Sequence, residues 1–108
     1  MIVLLLATLL TDERSETLRL APKYNAQVEV RMPDGTRCDL LNDVYAIEVD
    51  FSRKYAESVG QATLYSIWTG RKPAVILLSR GNEDKLHILR AKLVCERLGV
   101  TLFIERIQ

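Results

Sequence analysis

Thr36-Arg37-Cys38-Asp39-Leu40-Leu41-Asn42-Asp43-Val44-Tyr45-Ala46-Ile47-Glu48-Val49-Asp50-Phe51 is the stretch whose reading decides the fold. Two runs in it have strand character, 36–41 and 44–51, the second rich in β-branched and aromatic residues. Asn42-Asp43 between them has the form of a two-residue hairpin turn. Upstream, 27–32 alternates as a further strand and Pro33-Asp34-Gly35 makes a turn. Before that, 11–24 reads as a polar helix ending near Pro22. Downstream, Ser52 caps a helix running to about Trp68, and residues 70–73 end it. The almost wholly apolar run 74–79 predicts a strand buried on both faces. Asn82 caps another helix, with Glu83 and Asp84 favourably placed in its first turn. Gly99 stops that helix, and 100–104 is a last strand. The order is αβββαβαβ: a meander joined to a βαβ-type half, hence an α/β fold with a mixed five-stranded sheet flanked by helices.

With 108 residues, the chain has room for one domain, residues 11–108, after an apolar segment at 1–10. That segment is too short to span a bilayer, so no transmembrane span is expected. It has the length of a signal-peptide apolar region, yet no Lys or Arg precedes it and no clear cleavage site follows. Both a cytoplasmic protein with a buried first element and an exported one fit. Export would allow Cys38 and Cys95 to pair. Fifteen Lys and Arg against fourteen Asp and Glu give a net charge of +1, so any basic surface must be made by local segregation. Two widely separated cysteines and a single histidine, His87, argue against a Cys/His zinc site or a histidine-dependent triad.

The chemistry lies in the hairpin. A turn at Asn42-Asp43 sets Leu41 opposite Val44, Asp39 opposite Ala46 and Arg37 opposite Glu48. Asp39 and Glu48 are then diagonal neighbours on one face, with Cβ atoms about 7 Å apart or less. Asp50 shares that face, two residues beyond Glu48. A three-residue first turn adds Glu29 opposite Asp39. The other face, Val28, Val30, Met32, Cys38, Leu40, Tyr45, Ile47, Val49 and Phe51, reads as core. Carboxylates this close raise each other's pKa unless a positive charge intervenes, and a hard divalent cation such as Mg²⁺ suits an all-oxygen set. A solvated strand face is the competing reading, with Arg37 pairing Glu48 across the strands and Arg31 near Arg37. On the next helix Lys54, Gln61, Tyr65 and Trp68 fall on one stripe. Lys54 begins it, where Asp50 leaves the sheet, and is either a cation serving the site or an ordinary surface charge. Tyr65 and Trp68 are equally readable as core. Arg71, Lys72 and Arg80 flank the fourth strand as a phosphate-contacting rim or as solubilising loop charges.

The run from Asp39 through Tyr45, Glu48, Asp50 and Lys54 to Gln61 and Tyr65 resembles the PD-(D/E)XK nuclease superfamily, with its restriction-endonuclease-like fold, and in particular small bacterial and phage members. The resemblance covers about residues 16–78. It implies a Mg²⁺- or Mn²⁺-dependent nuclease that hydrolyses phosphodiester bonds, with DNA as the expected partner and other nucleic acid as a further one. Asp39 and Glu48 would hold the metal. Asp50, Lys54 and Gln61 would complete the catalytic set, and Tyr65 and Arg37 would contact substrate. Glu16 would match an acidic residue of the first helix. The motif asks for lysine where this chain has Asp50. Either Lys54 supplies the cation from the helix, or the protein is a catalytically degenerate module that binds nucleic acid or protein. Under both readings the small size makes a homodimer plausible.

Overall fold

The structure, a computed structural model, describes residues 12–107. The apolar segment at 1–10, with the export question attached to it, lies outside the described residues. The elements run α1 (Glu13–Leu20), β1 (Gln27–Arg31), β2 (Arg37–Leu41), β3 (Tyr45–Phe51), α2 (Tyr55–Thr69), β4 (Lys72–Ser79), α3 (Lys85–Leu98) and β5 (Thr101–Arg106). One five-stranded sheet holds all strands in sequence order. β1, β2 and β3 pair antiparallel, and β3, β4 and β5 pair parallel. The chain is thus an α/β protein with a mixed sheet in the expected order. Among the described residues no helix is long and apolar enough to cross a membrane.

Helices cover both sheet faces, which is why the core has two sides. Leu20 and Ala21 at the end of α1 pack with Leu40, Ile47, Val49, Ala74, Ile76 and Leu78. On the opposite face Val59 and Ala62 of α2 and Ala91 and Cys95 of α3 pack with Val75 and Leu77. β4 therefore has apolar neighbours on both sides and is buried from Ala74 to Ser79, as its unbroken apolar run requires. Gly70 and Gly99 end α2 and α3 in the left-handed conformation, with φ of 72° and 71°. An L-residue enters that region only at a cost, so these are the positions where the helices stop.

Four local expectations change. The hairpin turn is Asp43–Val44, because Asn42 N–H bonds to the Tyr45 carbonyl. Asn42 stands before the turn, and its Oδ1 accepts from the Val44 and Tyr45 amides. An Asx side chain mimicking a backbone turn displaces the turn by one residue. The β2–β3 register accordingly pairs Leu41 with Ala46 and Leu40 with Ile47. Ser52 does not cap α2: it opens a short 3-10 turn (Ser52–Lys54), and its hydroxyl donates to Asp84. Asn82 likewise opens a 3-10 turn (Asn82–Asp84) before α3 and makes no cap hydrogen bond. The single core face read for the meander is divided between two sides. Val28 and Leu40 pack on the α1 side, whereas Val30, Met32 and Cys38 pack with Ala46 and Tyr65 on the α2 side. The reversal falls at Glu29, which has φ of +51°, and the β1–β2 ladder skips Glu29 and Asp39. Cys38 and Cys95 are both free and buried, in separate clusters.

Candidate functional site

The break in the ladder creates the site. With the turn at Asp43–Val44, continuing the β2–β3 register brings Asp39 opposite Glu48, closer than the diagonal expected from the sequence. Asp39 does not continue that ladder in the regular way. Its Oδ2 accepts the Val49 amide at 2.8 Å, so the carboxylate lies alongside β3. On the α1 side Asp39 lines a cleft of about 470 Å³ with Glu13, Arg14, Glu29, Val49 and Phe51.

Glu48 and Asp50 are each only 5% exposed, which overturns the reading of their face as solvated strand. Arg37 does not pair with Glu48: it is exposed and stands opposite Arg31 in the β1–β2 ladder. The shifted turn moves Arg37 along the strand away from Glu48.

Glu48 has no partner for Oε1, which is shielded from solvent. Burial first, then the charge of Asp39, push its pKa up to about 10. Burial also raises Asp39, although the Val49 amide opposes the shift. Burial and the neighbouring Asp39 charge thus both favour the protonated form of Glu48. Asp50 is pushed up to about 7, by burial first and then by Glu13. Its Oδ2 accepts from the fully buried Ser58 hydroxyl at 2.9 Å and its Oδ1 from the Phe51 amide at 3.0 Å.

Lys54 reaches the site as its place in sequence suggests. Its Nζ is 3.9 Å from Asp50 and 3.0 Å from Glu13. Both carboxylates raise its pKa, Glu13 more strongly. Gln61 is half-buried on α2. Tyr65 is buried against Cys38 and Ala46 beneath the carboxylates, and burial pushes its phenol up to about 12. It packs under the site and does not project from it.

Glu13, Arg14 and Ser58 were missed by the sequence reading. The available signal for Glu13 was Asp12, which caps α1 by accepting from the Ser15 amide and so places Glu13 in the first turn. Arg14 forms an ion pair with Glu29. Glu16, which the resemblance would match to an acidic residue of the first helix, pairs with Arg19 on its own helix.

Among the described residues no group of three or more His, Cys, Asp or Glu has the arrangement of a metal cage. The donor set is a pair, Asp39 and Glu48. A pair suits a hard ion that keeps several waters, as Mg²⁺ does. The partnerless Oε1 of Glu48 is a buried lone-pair site that such a cation would satisfy, so the residues present fit the group.

Sequence comparison adds one likeness. The chain is similar to a viral protein. That relative is described as "Putative KilA-N domain-containing protein R878" of Acanthamoeba polyphaga mimivirus, and the two are 28% identical over 85 residues. The match covers 79% of this chain and 23% of the viral protein, so the chain spans about a quarter of that relative's length. No protein-family model and no solved structure matches the chain.

Proposed function

We propose that this protein acts on nucleic acid as a divalent-metal-dependent phosphodiesterase, with Asp39 and Glu48 holding the ion. The observation that carries the reading is the buried, partnerless Glu48 Oε1 beside an Asp39 that has left its ladder and lines a cleft. Two ionised carboxylates in a poorly solvated place repel each other at a cost that a retained proton or a bound cation relieves. Bound Mg²⁺ or Mn²⁺ would supply Lewis acidity and a water activated near neutral pH. Lys54 presents an ammonium at the Asp50 end of the site, where it can offset negative charge gathering on a phosphate. Ser58 fixes the Asp50 carboxylate. Gln61, one α2 turn on from Ser58, would orient groups in the site. Tyr65 packs beneath the carboxylates.

The test is thermal unfolding with EDTA, Mg²⁺ or Mn²⁺, run beside cleavage of a labelled DNA. Binding confined to the folded state adds about 2.7 kcal/mol when the ion is at a hundredfold its dissociation constant. The expected result is a metal-dependent rise in midpoint, together with cleavage, both lost in Asp39→Ala/Glu48→Ala. No rise at concentrations on the order of millimolar would sink the metal site.

A second reading is a nucleic-acid-binding module that cuts nothing. It is favoured by Asp50, a third carboxylate where the nuclease motif carries lysine, and by the commitment of Lys54 to Glu13. The likeness to part of a protein described as KilA-N domain-containing fits either reading.

A further inference from the structure

We propose that Arg53, Arg80 and Arg106 form a rim beside the carboxylate cleft that grips the phosphate backbone of a nucleic-acid strand, with Phe51 as the platform under Arg53 and Arg80. This rests on the reading that the partner is nucleic acid, and it names the residues that hold it.

The rim is assembled at the carboxyl ends of the three parallel strands. Phe51 ends β3, Arg80 follows β4 and Arg106 ends β5. The Phe51 ring carries the Arg80 guanidinium at 4.8 Å and the Arg53 guanidinium at 5.5 Å from its centroid. Stacking on an aromatic face fixes the plane of a guanidinium while leaving its N–H groups free to donate. Arg106 lies against Gly81, its Nη2 3.3 Å from where a Cβ on that glycine would sit. Gly81 has φ of +125°, so both the backbone and the close approach of Arg106 call for glycine there.

The loop that brings these groups together is pinned from several directions. Asp84 accepts the Ser52 hydroxyl at 2.8 Å and the Arg80 amide. The Gly81 amide donates to Ser79 Oγ at 3.2 Å, and the Ile107 amide donates to the Ser79 carbonyl at 2.9 Å. Both Asp84 oxygens are thus occupied by groups other than the guanidinium ions. Among the described residues no carboxylate lies within ion-pair distance of Arg53, Arg80 or Arg106, whereas Arg14, Arg19, Lys23 and Lys54 each have an acidic partner.

Three exposed guanidinium ions without acidic partners are a local excess of positive charge in a chain of net charge +1. Arginine in a fixed fork matches phosphate geometry. Phe51 also lines the cleft that contains Asp39, so a strand lying along the rim passes its neighbouring phosphates to the carboxylates. Contacts of this kind position a strand without reading its sequence. Arg71 and Lys72 belong to the other end of β4 and take no part.

The experiment measures binding of the full chain, in EDTA, to a fluorescein-labelled single-stranded DNA by anisotropy across a salt series. Arg53→Gln/Arg80→Gln/Arg106→Gln keeps much of each side chain's bulk over Phe51 and Gly81. It is expected to weaken binding roughly tenfold or more at low salt, and to lower the slope of log K against log salt by about 2, since each phosphate contact on a single strand contributes about 0.7. Arg71→Gln/Lys72→Gln should match wild type. Phe51→Leu, which keeps the charges and loosens their array, should weaken binding less and leave the slope unchanged. A triple variant with wild-type affinity and slope overturns the rim, as does an equal loss in the Arg71/Lys72 variant, or wild-type protein that does not bind. Because no metal is present, cleavage in Mg²⁺ judges the phosphodiesterase reading separately. Rim-dependent binding without cleavage would leave the rim standing and remove the enzyme.

Discussion

The two halves of the sheet obey different rules. In the parallel half, β3 and β4 pair at seven consecutive positions from Tyr45–Lys72 to Phe51–Leu78, and β4 and β5 at six. In the antiparallel half, the β1–β2 ladder omits Glu29 and Asp39, and β2–β3 keeps only Leu40–Ile47 and Leu41–Ala46. The regular half supplies apolar side chains to both faces and makes the core. The irregular half gives up ladder positions, so an acidic side chain can take the Val49 amide and stand beside a buried Glu48. The carboxylates collect where pairing fails, and β3, shared by both halves, supplies Glu48 and Asp50 while its other edge stays fully paired with β4.

The comparison breaks most visibly in the regular half. Leu77 is fully buried in β4, and Leu77→Ala should cost about 2–5 kcal/mol of stability in a urea titration. A loss as small as that of a surface change would mean that β4 is not the centre of the core.

The next effect is a pH slope in the irregular half. Glu48 has a folded-state pKa raised from 4.5 to about 10, so the folded state binds more protons than the unfolded chain. Its contribution to stability is fully present below about pH 4.5 and is lost as pH rises through about 10. In EDTA the wild-type protein should lose stability across that window, by no more than about 1.4 kcal/mol per pH unit for this one group. Glu48→Gln should flatten the slope. An equally steep slope in Glu48→Gln would show that another group carries it.

Backbone strain at the ladder gap gives a smaller effect. Glu29 holds φ of +51°, a region costly for β-branched residues. Glu29→Val should destabilise by about 1–3 kcal/mol. Glu29→Gly should be neutral or stabilise by up to about 1 kcal/mol, even though glycine in an ordinary strand weakens it. Equal losses from both would mean that the reversal of side-chain alternation does not depend on that conformation. The smallest change is expected from Arg14→Ala, which removes an exposed ion pair with Glu29 worth about 1 kcal/mol or less. A larger loss would show that Arg14 locks α1 over the cleft.

Much of the site's membership was readable in the hairpin, while its geometry was not. Asp39, Glu48 and Asp50 stand out as acidic residues in otherwise apolar strands, and Lys54 follows four residues after Asp50. The turn was misplaced because Asn42 and Asp43 are both good turn formers, and the choice depends on side-chain bonds from Asn42 to the Val44 and Tyr45 amides. Glu13 was not legible as a site residue, because its distance from Lys54 is set by how α1 docks on the sheet. The arginine rim was scattered at 53, 80 and 106 and had no sequence pattern. Only Arg80 drew notice, and it was grouped with Arg71 and Lys72 from the wrong end of its strand.

By itself the sequence determined the order of elements, the doubly buried β4 and the glycine stops of α2 and α3. Those features follow from local periodicity and from backbone conformations that few residues accept. Only the tertiary structure decided which face each meander residue occupies, that Glu48 is buried and not solvated, and which cations have acidic partners. Such outcomes depend on contacts between residues far apart in the chain. A single left-handed residue at Glu29 is enough to reverse the alternation from which the faces were read.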